Sequence, residues 1–255
     1  MKLGLCTISN RELQIGDVLA VADRAGYDGV ELWGGDHLGS RSDAACEDAR
    51  VTAKRRGLDI PVYGSYLRPG TATYADEVER ELAIAQTLEA AKIRVWAGRE
   101  EYETRTEHHW ERVVEDLCDL SDRAADRGLA VTVEKHGGTL TNSAVGAKQL
   151  LAAVDEENCR LNWQPLFVLP ADEILTEAQE LGPLANNVHL QAVPKRGLSG
   201  EHRCLLADAH YDVPAVIDAL SAAGFDEYLE VEFVTDRFDY ETAVTRDREY
   251  LTSLV

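Results

Sequence analysis

Four apolar segments of this chain alternate strictly and end on polar residues, and this pattern constrains the fold more than any other feature. The segments are LAVTVEKH at 129–136, CRLNWQP at 159–165, NNVHLQAV at 186–193 and EYLEVEF at 227–233. Successive side chains of a strand point to opposite faces, so the valines and leucines share one face and the polar residues share the other. If the strands lie parallel in one barrel, their polar ends converge at its carboxyl rim.

Strand-like runs recur along the whole chain and alternate with helical stretches. Eight such runs are present: LGLCT, DGVELW, DIPVYGSY, KIRVWAG, LAVTVEK, CRLNWQ, NNVHLQA and EYLEVEF. Between them, apolar residues follow the helical period, as in Val113, Leu117 and Leu120 ahead of Gly128. Eight strands in 255 residues match one closed barrel. We therefore expect the α/β class, with residues 1–255 forming a single (β/α)8 TIM barrel domain.

A doubly wound open sheet is the competing architecture for the same string of elements. That fold normally has a glycine-rich phosphate turn after its first strand, and LCTISNRELQIGD contains none. The barrel is therefore favoured. One stretch, residues 197–211, is predicted to be a long irregular loop between a strand and the next helix, a position where active-site loops are common.

The charge of the chain disfavours a nucleic-acid partner. Forty-six acidic and 26 basic residues give a formal net charge of -20, whereas nucleic-acid affinity depends on lysine and arginine contacts to phosphates. Few lysines and many acids are typical of proteins from a salt-rich cytoplasm, where self-repulsion is screened. An acidic surface and a halophilic source are therefore predicted.

The cysteines and the apolar segments indicate a cytoplasmic protein. Five cysteines without a CxxC pair favour reduced core thiols over disulfides or a cysteine zinc site. The N-terminal segment MKLGLCTIS contains too few apolar residues for a secretion signal. The sequence also contains no run of about 18 apolar residues, so no membrane span is predicted.

The polar strand ends predict a metal site. Carboxylate, amide oxygen and imidazole form a mixed oxygen and nitrogen ligand set that suits one divalent ion, Mn, Mg, Co or Zn. The predicted ligands are Glu134, Gln164, His189 and Glu232. The alternative is that the two glutamates are rim residues paired with arginine or lysine, but four convergent polar ends favour the metal.

Further residues with inward parity or near strand ends are candidates for substrate binding. Glu31 and Trp33 share the inward face of the second strand, and His37 follows in the loop. Trp96 is also inward, whereas Trp163 has outward parity and is predicted to pack in the core. His136, two residues after Glu134, is predicted to orient the substrate or support the site, although an isolated loop histidine is often only solvated.

In this order, several segments resemble the xylose-isomerase-like TIM barrel superfamily. The segments are AGYDGVELW, VTVEKHGGTLTNS, NNVHLQA and GFDEYLEVEF, followed by a terminal helix ending in REYLTSL. The superfamily contains sugar isomerases, ketose 3-epimerases, hydroxypyruvate isomerases, inosose dehydratases and an apurinic endonuclease branch. The resemblance spans nearly the whole chain and implies a barrel that acts on a small carbohydrate, with homo-oligomers common.

Part of the predicted metal site matches the metal ligands of the family residue by residue. In the ketose epimerases of this family, Glu, Asp, His and Glu hold the metal, and Glu134, His189 and Glu232 match three of these positions. Gln164 stands at the aspartate position, which removes one negative charge. A substrate-binding histidine of the family is replaced by Phe167, and an aspartate after the strand-seven histidine is replaced by Ala192.

The resemblance also implies a substrate-gripping arginine after the strand-seven histidine. Lys195 and Arg196 lie close enough in sequence to fill this role, or they form a solvated loop pair.

These features predict a divalent-metal-dependent isomerase or epimerase of a sugar, sugar derivative or polyol. Glu134 and Glu232 are the expected base and acid, moving a proton on either side of a carbon through an enediolate. An inosose-type dehydratase on the same site is one alternative, and a degenerate metal-free barrel with a binding role is another. The apurinic endonuclease reaction is disfavoured because the chain lacks both a basic face and a richer set of zinc ligands.

Overall fold

Eight parallel strands close into a barrel in a computed structural model that describes residues 1–255, and neighbouring strands follow chain order. The strands are β1 Lys2–Cys6, β2 Gly29–Trp33, β3 Asp59–Gly64, β4 Lys92–Val95, β5 Ala130–Glu134, β6 Cys159–Trp163, β7 Ala185–Leu190 and β8 Tyr228–Val231. Strand β1 pairs with β8 through Lys2 and Tyr228, which closes the sheet. The predicted (β/α)8 barrel is confirmed, and the open sheet is excluded.

Eight helices surround the barrel, one after each strand. They are α1 Ile15–Ala25, α2 Asp43–Arg55, α3 Tyr74–Thr87, α4 Glu107–Ala125, α5 Ala144–Val154, α6 Ala171–Leu181, α7 Val213–Ala222 and α8 Tyr240–Thr252. Helix α4 begins where the Thr106 side chain accepts a hydrogen bond from the His109 backbone N–H. Helix α1 ends at Gly26, whose φ of 84° is left-handed backbone that favours glycine. No helix is long and apolar enough to cross a membrane.

Side-chain parity in the strands separates the core from the barrel interior. In β5, Val131 and Val133 are fully buried in the hydrophobic core, while Glu134 belongs to the polar interior. Trp163 is likewise buried in the core, as its outward parity predicts. The register places Glu134 beside Asn162 in the neighbouring strand β6. The polar residues of β5 to β8 therefore meet inside the barrel, toward its carboxyl end.

The long segment between β7 and α7 contains two short 3-10 turns, Gly200–His202 and Leu206–Asp208, and is otherwise irregular. Backbone hydrogen bonds tie it to the strand end, with Cys204 N 3.1 Å from Ala192 O. Thr235 Oγ1 donates to Arg203 O at 2.9 Å and anchors the segment to the chain after β8. The predicted long loop is confirmed, and it lies over the carboxyl end of the barrel.

Candidate metal and catalytic site

A cavity of about 360 Å³ opens at the carboxyl end of the barrel. Its lining is polar on the floor and aromatic on the wall: Ile8, Arg11, Tyr66, Arg94, Trp96, Glu134, His136, Gln164, Phe167, Gln191, Gly200, Arg203, Glu232 and Phe233. Glu134, Gln164 and Glu232 are predicted metal ligands, and His136 is a predicted substrate contact. This end of a (β/α)8 barrel is the usual place for an active site.

Glu134, His189 and Glu232 form a compact buried cluster. Each offers one ligand atom, and these atoms all lie within 4.8 Å of one another. His189 Nδ1 is 3.8 Å from Glu232 Oε1, and Glu232 Oε2 is buried without a hydrogen-bond partner. Two carboxylates and an imidazole suit a divalent ion, and an unpartnered buried oxygen is a free coordination position. A buried histidine and glutamate cluster thus fits a divalent metal site.

The ring of His189 is oriented by a carboxylate behind it. His189 Nε2 is 2.8 Å from Glu31 Oε2, so a proton on Nε2 leaves the Nδ1 lone pair on the side of Glu232. The amide nitrogen of Asn162 lies 3.1 Å from this Nδ1. Burial lowers the pKa of His189, but Glu31 and Glu232 outweigh it and raise the pKa to about 9. The carboxylates around this ring therefore favour a positive charge in the metal-free protein, and a metal at Nδ1 would take the place of the proton there.

Arg94 is a central residue of the site that the sequence analysis did not identify. It is 4 % exposed, and its guanidinium pairs with Glu31 at 3.1 Å and with Glu134. Burial raises the pKa of Glu134, but Arg94 and His189 outweigh it, and the pKa lies below its ordinary value. Its position two residues before the inward Trp96 was the available signal, because residues two apart in a strand share a face.

Gln164 lies in the cavity lining with its amide N–H groups toward Glu134. Its Nε2 donates to Glu134 Oε1 at 2.9 Å and to Lys135 O at 2.8 Å. Since a carbonyl oxygen accepts but never donates, the Lys135 contact fixes which end of the amide is nitrogen. Gln164 Oε1 accepts from Gln191 Nε2 at 2.8 Å. In this arrangement Gln164 holds Glu134 through a hydrogen bond, with its oxygen turned away.

Trp33 and His37 lie behind the cavity wall and do not line it. Trp33 is 6 % exposed and donates from Nε1 to Tyr66 OH at 2.7 Å. The His37 ring packs edge-on against Trp33 with centroids 5.2 Å apart, and neither of its nitrogens has a hydrogen-bond partner. Glu31 also lies below the lining, against His189. The loop after β2 folds back over Trp33, which keeps these side chains from the open space.

The residues after β5 and β7 divide between cavity and surface. His136 lines the cavity, packs against Trp96 at 5.6 Å, and its Nδ1 is 2.6 Å from Gly137 O. Lys195 and Arg196 are exposed, and Arg196 Nε donates to Val168 O at 2.8 Å. At these two positions the loop after β7 turns its side chains outward, whereas Gln191 at its start and Arg203 further along line the cavity.

Comparison with known proteins gives the family of this fold. The model of the xylose isomerase-like TIM barrel family matches residues 19–254, so the chain belongs to that family. The resemblance suggested by its strand ends is confirmed.

Two curated relatives carry different activities. A 3-dehydroshikimate dehydratase of Bacillus anthracis is 27% identical over 202 residues, covering 76% of this chain and 72% of the relative. A fructoselysine 3-epimerase of Escherichia coli O157:H7 is 23% identical over 255 residues, covering 92% of this chain and 91% of the relative. The chain is thus related to both an epimerase and a dehydratase.

A solved structure of the same fold holds a metal. The crystal structure of the IOLI protein with a zinc atom superposes with a TM-score of 0.83, at 18% identity over 100% of this chain and 98% of that one. At this identity the likeness shows the shared fold.

Proposed function

We propose that this protein is a divalent-metal-dependent isomerase or epimerase that moves a proton at a carbon beside the carbonyl of a small polyhydroxylated substrate. The observation that carries the proposal is the cluster of Glu134, His189 and Glu232, whose ligand atoms lie within 4.8 Å of one another at the cavity. Both glutamates line the cavity, and they come from the ends of β5 and β8, three strands apart in the barrel. Relatives of this chain include a sugar 3-epimerase.

The chemistry of the clustered side chains suits a divalent metal ion. Glu134, His189 and Glu232 would hold it, because they supply two carboxylates and an imidazole with one buried oxygen free of other partners. When bound, a divalent cation withdraws electron density from substrate oxygens and so weakens the adjacent C–H bond. Mn, Mg, Co and Zn all accept this mixture of hard oxygen and imidazole ligands.

The two glutamates have different surroundings, which suits one to remove a proton and the other to return one. Glu134 is fixed as an ionised carboxylate by Arg94, Trp96 and Gln164. Glu232 has one oxygen with no hydrogen-bond partner. One carboxylate removes the proton from a carbon of the substrate, and the other returns a proton to the opposite face or to the neighbouring carbon. Returning it to the opposite face gives an epimer, and returning it to the neighbour gives an isomer.

The aromatic wall protects this chemistry from water. Trp96 lines the cavity, packs against Tyr66 with centroids 5.4 Å apart, and donates from Nε1 to Glu134. Phe167 and Phe233 line the other side. Apolar rings around a charged pair lower the local dielectric and strengthen its interaction with the reacting atoms.

The test combines metal content with solvent isotope exchange. The protein is purified without a metal-affinity step, its metals are measured by mass spectrometry, and ketoses are incubated with it in D2O. A stoichiometric divalent ion and deuterium incorporation beside the carbonyl support the proposal. Glu134→Gln and Glu232→Gln should each abolish the exchange, while Glu249→Gln, on the exposed face of α8, should not. Exchange that survives in both cavity variants would refute the roles of the two glutamates.

A dehydratase is the second candidate, favoured by His136 and by the 3-dehydroshikimate dehydratase relative. Because Nδ1 of His136 lies 2.6 Å from the Gly137 carbonyl, Nδ1 carries a proton, and in the neutral ring Nε2 has the lone pair. His136 therefore supplies a third group that accepts a proton at the cavity. Removing a carbon-bound proton and expelling a neighbouring hydroxyl as water gives a conjugated product. A new ultraviolet absorbance, lost in His136→Gln, would favour this reaction over epimerisation.

Failure to bind any metal would indicate a barrel with a binding role and no metal-dependent activity. If the protein retains no Mn, Co or Zn after incubation and dialysis, the cluster is not a metal site. The interpretation as a metal-dependent enzyme then fails, even if ketoses exchange deuterium in D2O. Glu134→Gln is the matched comparison, because it removes one charge from the cluster while keeping a similar shape.

A further inference from the structure

Two arginines lie where the active-site cavity joins a second, outer cavity. The outer cavity has a volume of about 400 Å³ and is lined by Ile8, Ser9, Arg11, Gly200, Glu201, Arg203, Phe233, Val234 and Asp236. Five of these residues also line the inner cavity, namely Ile8, Arg11, Gly200, Arg203 and Phe233. The two cavities are therefore adjacent, and Arg11 and Arg203 line both.

Neither guanidinium has an acidic partner, although the chain has 46 acidic residues and a net charge of -20. Arg11 forms no ion pair or side-chain hydrogen bond. Arg203 donates to Gly200 O and, at 3.3 Å, to Gln191 Oε1, while its Nε is buried without a partner. Glu201 and Asp236 line the outer cavity, but neither forms an ion pair with either arginine. Arg203 is half-buried and has hydrogen-bond donors to spare, and the exposed Arg11 at the mouth of the cavity has all of its donors free of protein partners.

Aromatic rings hold both arginines in place. The Arg11 guanidinium lies over the Trp33 ring at 5.4 Å, and the Arg203 guanidinium lies over the Phe233 ring at 3.7 Å. Stacking uses the flat face of a guanidinium and leaves the N–H groups at its edge free to bind an oxyanion. Trp33, which the sequence analysis assigned to substrate binding, thus supports Arg11 from behind.

The two positive charges are also close enough to oppose each other. Burial lowers the pKa of Arg203, Glu232 opposes this effect, and Arg11 lowers the pKa further. Like charges that face a shared space without a counterion are destabilising, and an anion placed between them relieves that cost. In a protein of this net charge, the pair provides a local positive region for a negatively charged ligand.

We propose that Arg11 and Arg203 bind an anionic group of the substrate, a carboxylate or a phosphate, while its hydroxyketone part reaches Glu134 and Glu232. The proposal rests on the proposed function, because it places the reacting part of the same molecule at the metal cluster. It narrows the substrate to a polyhydroxylated ketone with an acidic substituent. Neutral ketoses lack the group that this subsite binds.

Binding measurements with matched probes test the inference without requiring turnover. Calorimetry compares 5-keto-D-gluconate with D-fructose for the carboxylate, and D-fructose 6-phosphate with D-fructose for the phosphate, all on metal-loaded protein. At least one charged probe should bind about tenfold more tightly than D-fructose. The preferred charged probe identifies the anionic group.

Substitutions assign the preference to the two arginines. Arg11→Gln and Arg203→Gln should each reduce the affinity for the preferred charged probe about tenfold more than they reduce the affinity for D-fructose. The matched control is Arg246→Gln, which removes an arginine stacked on Phe238 at 4.1 Å outside both cavities. Circular dichroism confirms that each variant is folded.

The outcomes separate this inference from the proposed function. A preference for a charged probe that depends on both arginines, without isotope exchange in any ketose, supports the subsite and rejects the isomerase. Equal affinity for charged and neutral probes, a preference that survives in both variants, or no binding of charged probes at millimolar concentration would overturn the subsite. If neutral ketoses still undergo isotope exchange in that case, the proposed isomerase function remains supported.

Discussion

His189 contacts Glu31 through Nε2 at 2.8 Å, although 158 residues separate them in the chain. The contact turns the other ring nitrogen toward Glu232 and sets which nitrogen is available to a metal. A carboxylate behind a metal-binding histidine fixes its orientation and increases its basicity. Glu31 therefore acts on the cluster through His189 and is a positioning residue.

Replacing Glu31 should weaken metal binding. Glu31→Ala removes the acceptor for His189 Nε2 and one of the two carboxylates paired with Arg94, so metal affinity should fall about 10-fold to 100-fold. Glu31→Gln keeps an acceptor oxygen and should weaken the affinity less. Competition with a fluorescent zinc chelator measures both constants. Equal affinity in wild type and Glu31→Ala would show that the contact does not orient the ligand.

Gln164→Asp should destabilise the metal-free protein and increase the stabilisation that a divalent metal produces. Without metal, the substitution replaces a donor to Glu134 Oε1 by a second carboxylate and removes the donor to Lys135 O. The free energy of unfolding should then fall by roughly 1–3 kcal/mol. With a divalent ion the added charge becomes favourable, so the stabilisation produced by Mn should be larger than in the wild type.

Thermal unfolding with and without Mn measures this change, with Gln179→Asp as the control. Gln179 is exposed on α6, so its substitution adds the same charge away from the cavity. If the stabilisation by Mn is the same in Gln164→Asp and in the wild type, position 164 does not contribute to the cluster.

The fold and the predicted metal cluster could be read from parity and strand count. Glu134, His189 and Glu232 each follow an alternating apolar run, so their common face and their common end of the barrel follow from the strand period. Arg94 has the same inward parity in the short strand KIRV. A guanidinium has no lone pair for a metal, so a search for metal ligands does not identify it.

Strand parity does not predict where the side chains of loop residues point. Arg11 follows β1 and Arg203 follows β7, and neither has a periodic neighbour that fixes its direction. Lys195 and Arg196 are closer to His189 in sequence, yet Arg203 reaches the cavity because the loop continues through a turn at 200–202. Distance along a long loop gives no information about direction, so contacts of this kind depend on tertiary packing.

The melting temperature should rise with salt. The net charge of -20 produces repulsion within the folded chain, and at 1 M salt the screening length falls to about 3 Å. We expect the melting temperature in molar KCl to exceed the value in dilute buffer by several degrees. Calorimetry at both concentrations checks this, and sucrose of equal osmolality controls for effects other than screening. Equal melting temperatures at low and high KCl would contradict the halophilic interpretation.

Asp247 should make the protein less stable as the pH rises through neutrality. It is 1 % exposed on α8, Oδ1 accepts from Leu206 N at 2.8 Å, and Oδ2 has no partner. Burial raises the pKa to about 7, although the Leu206 N–H lowers it. The ionisable groups that interact with it are Tyr27, Cys204, Asp208 and Tyr211.

An unfolded aspartate has a pKa of about 3.9, so the folded state binds this proton more tightly. Its stabilising effect is fully present below that pH and is lost as the pH rises through about 7. Between pH 5 and pH 8 the free energy of unfolding should fall by at most about 2–3 kcal/mol through this group. Asp247→Asn keeps an acceptor for Leu206 and cannot ionise, so urea unfolding should show a flatter pH dependence. Parallel pH profiles for wild type and variant would mean that Asp247 ionises normally in the folded protein.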